Sequence, residues 1–222
     1  MTSSDLEQSI DQLLKSSNIV TDKRLIAELI RTSLQLGGES TNTLNLKIAS
    51  AALTEMSEAF SMFAPYANKK KVTIFGSART TKDDPVYKQT EAVAKKLADN
   101  GWMVVTGAGP GIMEAGMSGA GREMSIGVSI RLPFETSANS IIAGDEKYVA
   151  MRYFFTRKLM LVKESQAFIC MPGGFGTLDE MFELLTLSQT GKGNPVPIVV
   201  LDLPNDPFWQ DLDQFIRNTL VP

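Results

Sequence analysis

From residue 71 onward, short apolar runs of strand length alternate with stretches of helical period, and this alternation is the strongest constraint on what the chain can fold into. The runs are Lys71–Phe75, Trp102–Thr106, Ser125–Ile130, Ala167–Met171 and Val196–Leu201. Helical patterns cover about 85–100, the stretch from the Gly107–Gly111 loop to about Gly119, and 151–164, 177–190 and 207–219; the first opens on Pro85, where a first-turn proline fits. Strands separated by helices are joined by crossovers, so they lie parallel, with helices on both faces. The expected fold class is therefore α/β, a doubly wound parallel sheet. Such sheets bind ligands at the carboxyl ends of their strands. Three loops then face one crevice: Gly76–Arg79, Gly107–Gly111 and Pro172–Thr177.

Residues 1–68 read differently. They contain no convincing strand but three helical patterns, at 5–16, 22–37 and 43–63. Leu25, Ile26, Leu29, Ile30 and Leu34 form one apolar stripe, and Ala49, Ala52, Leu53, Met56, Phe60 and Phe63 another, with Gly37-Gly38 stopping the helix between them. The expected organisation is an N-terminal helical extension over 1–68, serving as a cap or as a subunit interface, and a site-bearing domain over 69–222.

The most informative loop is Pro172-Gly173-Gly174-Phe175-Gly176-Thr177-Leu178-Asp179-Glu180, which follows a strand and opens a helix. Closely spaced glycines there leave backbone N–H groups uncovered at the positive end of a helix dipole, a favourable seat for a phosphate. Glu180 follows Thr177 by three residues, on the same helical face. A carboxylate beside a bound anion is unfavourable for phosphate holding alone and points to chemistry on an attached sugar; the other reading is a capping carboxylate in the first turn.

Composition narrows the chemistry. The chain has no histidine and one cysteine. Ser-His-Asp and Cys-His mechanisms, histidine bases and nearly all zinc sites are thereby removed, leaving carboxylates, Lys, Arg and Tyr. Cys170 lies in the apolar strand before the glycine loop and reads as a buried structural thiol. A net charge of −3 gives no general basic field for nucleic acid or an anionic membrane. No apolar run approaches the roughly 18 residues that span a bilayer, and the N-terminus shows no signal pattern, so a cytoplasmic location is expected.

Other motifs are weaker. Thr106-Gly107-Ala108-Gly109-Pro110-Gly111-Ile112-Met113 follows a strand and opens a helix, but the third glycine of a dinucleotide fingerprint would fall on Ile112, so it reads as a nucleotide-contacting loop rather than a nicotinamide site. No Walker pattern is present. Arg157-Lys158 sits in a helical stretch, and adjacent basic residues on a helix are ordinarily solvated. Arg131-Leu132-Pro133-Phe134-Glu135 borders the crevice, with Glu135 and Asn139 placed to meet a base or ribose.

In combination, Thr106–Met113 followed by Glu114-Ala115, then Arg157-Lys158, then Pro172–Glu180, 23 residues on from Arg157 to Glu180, resemble the LOG ("lonely guy") family of Rossmann-like phosphoribohydrolases, over about residues 70 to 215. The helical 1–68 segment is similar to the longer bacterial members. The resemblance implies hydrolysis of the N-glycosidic bond of a nucleoside 5′-monophosphate, AMP or an N6-prenylated AMP, to free base and ribose 5-phosphate. It implies catalytic roles for Arg157 and Glu180. Gly173, Gly174, Phe175, Gly176 and Thr177 would bind the substrate around its 5′-phosphate, with Gly107, Gly109, Gly111, Lys158, Glu135 and Thr186 as further substrate contacts. Met113, Met117, Phe134 and Met160 read either as ordinary core, the favoured reading, or as a wall around the base. No cofactor and no metal are implied, and the protein is expected to be a homodimer or higher homo-oligomer with the Arg157 helix near the interface.

Three other functions remain to be weighed. A carrier resembling the molybdenum-cofactor carrier proteins would use the same pocket without turnover, and would not need Glu180. The label "lysine decarboxylase" attached to this family would require pyridoxal phosphate on a lysine, with a partner for the ring nitrogen, and no residue arrangement suggests it. DNA binding conflicts with the acidic balance.

Overall fold

The computed structural model describes residues 3–38, 42–132 and 138–220. It divides into two compact units, Met1–Ala51 and Ala52–Pro222. In the first, α1 (Ser3–Ser16) and α2 (Lys23–Gly38) precede the opening turns of α3 (Thr43–Phe63). Their contact is made by Ile10, Leu14 and Ala27, with Leu6, Ile19, Ile26 and Ile30 packed around them. Arg31 clamps Glu7 with both its Nε and Nη2, at 2.7 and 2.5 Å. Of the stripe expected on α2, Ile26 and Ile30 turn inward while Leu25, Leu29 and Leu34 stay exposed.

The second unit begins inside α3, whose Ala59 and Phe63 are buried in its core. It continues through β1 (Lys71–Phe75), α4 (Pro85–Asp99), β2 (Met103–Thr106), α5 (Ile112–Ala120), β3 (Ser125–Ile130), β4 (Tyr148–Met151), α6 (Phe154–Lys163), β5 (Ala167–Cys170), α7 (Phe175–Gln189), β6 (Ile198–Val200) and α8 (Phe208–Phe215). Asp84 caps α4, its Oδ1 accepting from the Val86 N–H at 2.8 Å, with Pro85 in the first turn as expected. No helix among the described residues is long and apolar enough to cross a membrane.

The six strands form one sheet in the order β4-β3-β2-β1-β5-β6, every pair parallel. This is the doubly wound α/β sheet that the alternation predicts. Side chains alternate across it: Phe75, Val105, Val128, Phe168 and Cys170 face α3, α6, α7 and α8 through Phe63, Met160, Leu161, Met181 and Trp209. Val72, Ile74, Val104, Ile169 and Met171 face α4 and α5 through Val86, Ala94 and Ile112. The strand Tyr148–Met151 is absent from the sequence reading, which begins a helix at 151. It is four residues long, lies at the sheet edge and is flanked by Asp145-Glu146-Lys147 and Arg152, so its apolar signal is too short to stand out.

The winding reverses between β1 and β5: from β1 the chain builds β2, β3 and β4 on one side, then returns to place β5 and β6 on the other. A reversal of this kind opens a crevice at the carboxyl ends of the two strands.

Candidate active site

Ser77, just past β1, joins the three loops at that crevice. Its N–H donates to the Pro172 carbonyl at 3.2 Å, its carbonyl accepts from the Ile112 N–H at 3.0 Å, and its Oγ accepts from the Arg79 N–H at 3.1 Å. Gly111 has a φ of +66°, and a Cβ there would collide with the Ser77 carbonyl, so conformation and space both require glycine.

The loops border a cavity of about 830 Å³. One pole is the N-terminus of α7. Gly174 precedes its first residue and offers no side-chain cap, so first-turn N–H groups remain uncovered. Gly174, Phe175, Gly176 and Thr177 line the cavity there, and Arg79 approaches from the β1 loop. At the other pole, toward β3 and β4, the lining includes Ile130, Leu132, Tyr148 and Phe154, with the Ser129 and Tyr148 hydroxyls 2.8 Å apart.

Between the poles stand Arg157 and Glu180. Arg157, on α6, is 8 % exposed. Its Nε donates to the Val128 carbonyl at 3.0 Å and its Nη1 to Glu180 Oε1 at 3.2 Å. The space for its guanidinium exists because residue 107 is glycine: a Cβ there would strike Arg157 Nη2 and come within 2.6 Å of Met113 Sδ. Glu180, on α7, has a side chain 12 % exposed. Burial pushes its carboxyl up to about 7, against the opposing pull of Arg157. The Cys170 thiol, fully buried beneath, is pushed up to about 12 by burial and then by Glu180, so it is no nucleophile. The next residue pair ties the same two helices on a different line: Lys158 Nζ lies 2.8 Å from Glu183 and 3.2 Å from Asp179, and its pKa is raised by the Glu183 hydrogen bond.

Of the residues singled out in the sequence, Gly107, Gly109, Arg157, Gly174, Phe175, Gly176, Thr177 and Glu180 share the cavity wall. Gly111 and Gly173 lie behind it, packed on Ser77. Lys158 is taken up by its carboxylate partners rather than by the cavity. Thr186 is exposed farther along α7, donates to the Phe182 carbonyl at 2.8 Å and does not line the cavity. Glu135 and Phe134 lie outside the described residues. Asn139 supports the glycine loop, its Nδ2 donating to the Gly109 carbonyl at 3.1 Å. Met113 lines the cavity, whereas Met117 and Met160 are fully buried core. Sequence reasoning placed the Gly76–Arg79 loop at the crevice but missed Ser129, Tyr148 and Phe154 as cavity residues. Arg79 stands in a loop named for its position but without a motif, and Tyr148 belongs to the edge strand that was not foreseen. No described residue lining the cavity is a lysine. With no amine to form a Schiff base, the wall does not fit pyridoxal phosphate.

Fold and site together define a doubly wound α/β protein whose cavity joins an amide-lined helix N-terminus to a buried Arg–Glu pair. Residues 108–221 match the family described as "Possible lysine decarboxylase". The chain belongs to that family, the LOG family of the resemblance above. A probable cytokinin riboside 5′-monophosphate phosphoribohydrolase of Arabidopsis thaliana is 33% identical over 134 residues, 58% of this chain and 65% of that protein. A cytokinin riboside 5′-monophosphate phosphoribohydrolase of Oryza sativa subsp. japonica is 30% identical over 136 residues, 58% of this chain and 54% of that protein. The match therefore spans less than two thirds of either relative. Among solved structures, DNA processing protein A of Helicobacter pylori superposes with a TM-score of 0.50 at 20% identity, covering 68% of this chain and 73% of that one, a likeness of fold alone.

Proposed function

We propose that this protein hydrolyses the N-glycosidic bond of an adenosine 5′-monophosphate, plain or N6-modified, releasing the base and ribose 5-phosphate. The observation that carries the reading is the Arg157–Glu180 pair, 3.2 Å apart in the cavity wall beside the uncovered N-terminus of α7. The 5′-phosphate would accept from the N–H groups of Gly174, Gly176 and Thr177 and pair with Arg79. Glu180 is five residues into α7, about 7.5 Å along its axis, so a ribose reaching inward from the phosphate comes to it. As the C1′–N bond breaks, the base leaves with the bonding electrons and takes up a proton, positive charge develops on the ribose, and water adds to C1′. Ionised Glu180 stabilises that charge or orients the water, and Arg157 holds Glu180 in place while its positive charge assists the departing base. The named activities of the plant relatives support the same reaction class.

Incubation of the purified chain with AMP and, separately, N6-isopentenyl-AMP tests the reading, with chromatography and mass spectrometry for free base and ribose 5-phosphate. Base release that Glu180→Gln abolishes while nucleotide binding persists is the expected result. Binding without release by the unaltered protein would overturn it in favour of a carrier. A homo-oligomer is part of the same proposal; Phe155 and Leu159, exposed on α6, support it, and light scattering on the purified protein tests it.

A further inference from the structure

Arg157 is held at its head by Val128, Glu180 and the gap at Gly107, but its helix must also be fixed at its base. The N-cap of α6, Tyr153, makes no side-chain capping bond. The start of the helix is held instead from α3, about a hundred residues earlier in sequence. Glu55 Oε1 accepts from the Arg152 N–H at 2.7 Å, and Glu55 Oε2 accepts from the Thr156 hydroxyl at 2.8 Å. Glu55 is 6 % exposed and Thr156 is fully buried. A carboxylate at that end complements the helix dipole, and Thr156 is the residue immediately before Arg157.

We infer that Glu55 is a positioning residue for the Arg157–Glu180 pair: from α3, it fixes the rotation and axial placement of α6 so that the guanidinium reaches Val128 and Glu180 together. The inference rests on the proposed hydrolysis for its kinetic consequence but not for its geometry. A helix advances about 1.5 Å and turns about 100° per residue. The Arg157 guanidinium meets two acceptors on different elements, the Val128 carbonyl on β3 and Glu180 on α7, in a gap with no room for one added methyl at Gly107. A small roll of α6 therefore breaks at least one bond. It also follows that a fragment cut at residue 69, where the sheet pattern begins, would lack part of its own site support.

The test uses the full chain with Glu55→Ala, Glu55→Gln and Thr156→Val. Gln keeps an acceptor for the Arg152 N–H, and Thr156 then turns its hydroxyl hydrogen to the Tyr153 carbonyl, which it already approaches at 2.9 Å. Glu55→Ala is expected to lower kcat for AMP about 10- to 100-fold while AMP affinity changes less than about threefold, because misplacement strikes the reacting geometry and not the phosphate pole. Glu55→Gln restores most of the turnover. A readout independent of turnover is the carboxyl carbon resonance of Glu180, which faces Arg157, Lys158, Asp179 and Glu183. Its titration moves upward in Glu55→Ala and stays in place in Glu55→Gln. Thr156→Val, which removes one of the two bonds with little change of shape, shifts it in the same direction by less, and serves as the deciding variant if Glu55→Ala does not fold. A folded Glu55→Ala, or Thr156→Val in its place, with unaltered kcat and an unaltered Glu180 titration overturns the inference. An upward shift of Glu180 in a protein that releases no base from either nucleotide would leave the positioning role standing and remove the proposed hydrolysis.

Discussion

Glu180 makes the stability of the folded chain depend on pH in a direction opposite to that of most carboxylates. Its pKa rises from an ordinary 4.5 to about 7 on folding, chiefly because burial disfavours the charged form. Below pH 4.5 the group is protonated in both folded and unfolded chains and costs nothing. Between 4.5 and about 7 the unfolded chain has released the proton and the folded chain has not, so folding weakens by about 1.4 kcal/mol per pH unit. Above that window the full cost of about 3 kcal/mol is present; the Arg157 contact is already included, since the guanidinium is what keeps the pKa from rising further. Glu180→Gln cannot titrate. Urea unfolding of both proteins at pH 4.5, 6 and 8 should show the stability of Glu180→Gln relative to the unaltered chain rising by about 3 kcal/mol across the series, or roughly 6–12 °C in Tm for a chain of this size. All other titrating groups are shared and cancel in the comparison. Parallel curves, with a relative change under about 1 kcal/mol, would show that Glu180 titrates as an ordinary carboxyl and would refute the argument from burial. In activity the sign reverses: if the ionised form serves the reaction, kcat/KM for AMP rises as pH passes about 7.

Three further outcomes follow from the cavity. Arg157→Lys should lower kcat at least about 100-fold with the circular dichroism spectrum unchanged, because one ammonium cannot reproduce the two-directional reach to Val128 and Glu180; turnover kept within a few-fold would count against it. Gly107→Ala, which puts a methyl where the guanidinium lies, should lose turnover to a similar extent without unfolding, read by the same pair of measurements. Arg79→Ala should weaken AMP binding about 10- to 100-fold, the worth of a charge-assisted hydrogen bond, and leave adenosine binding unchanged in calorimetry; equal weakening of both ligands would place Arg79 away from the phosphate.

The fold was largely legible because a parallel sheet covered on both faces writes its inner strands as apolar runs, as β1, β2, β3 and β5 do; β6, at the edge with Val199 and Val200 exposed, is legible from its Ile-Val-Val run alone. Tyr148–Met151 was not, being four residues at an edge. The α7 loop was equally plain, with Gly173, Gly174 and Gly176 close together and Glu180 at a fixed step beyond them, whereas Arg157, in an Arg-Lys pair on a helix, stood out only in combination with that loop. Spatial neighbours with no sequence spacing were invisible. Nothing in Gly107 announces that its missing side chain accommodates Arg157, fifty residues on. Nothing in Glu55 announces that it holds the start of a helix beginning at Phe154. The stripe on α3 shows an amphipathic helix but not which of its residues turn inward; Ala52 and Phe63 are buried, whereas Leu53 and Phe60, on the same expected stripe, are exposed.

The backbone of one residue, Ser77, bonded at once to Pro172 and Ile112, also limits how this cavity can be altered by evolution or by design. The glycine loops at the phosphate pole are mechanically interlocked, so an insertion or exchange in one must be accommodated by the other two. The opposite wall, formed by Leu132, Tyr148 and Phe154, is tied differently, by the Ser129–Tyr148 hydroxyl pair at 2.8 Å, and its Phe154 is 53 % exposed. On the proposed reading, variation in the group carried on the base would be accommodated at the β3–β4 end while the phosphate end stays fixed, and libraries aimed at new nucleobase preferences belong there.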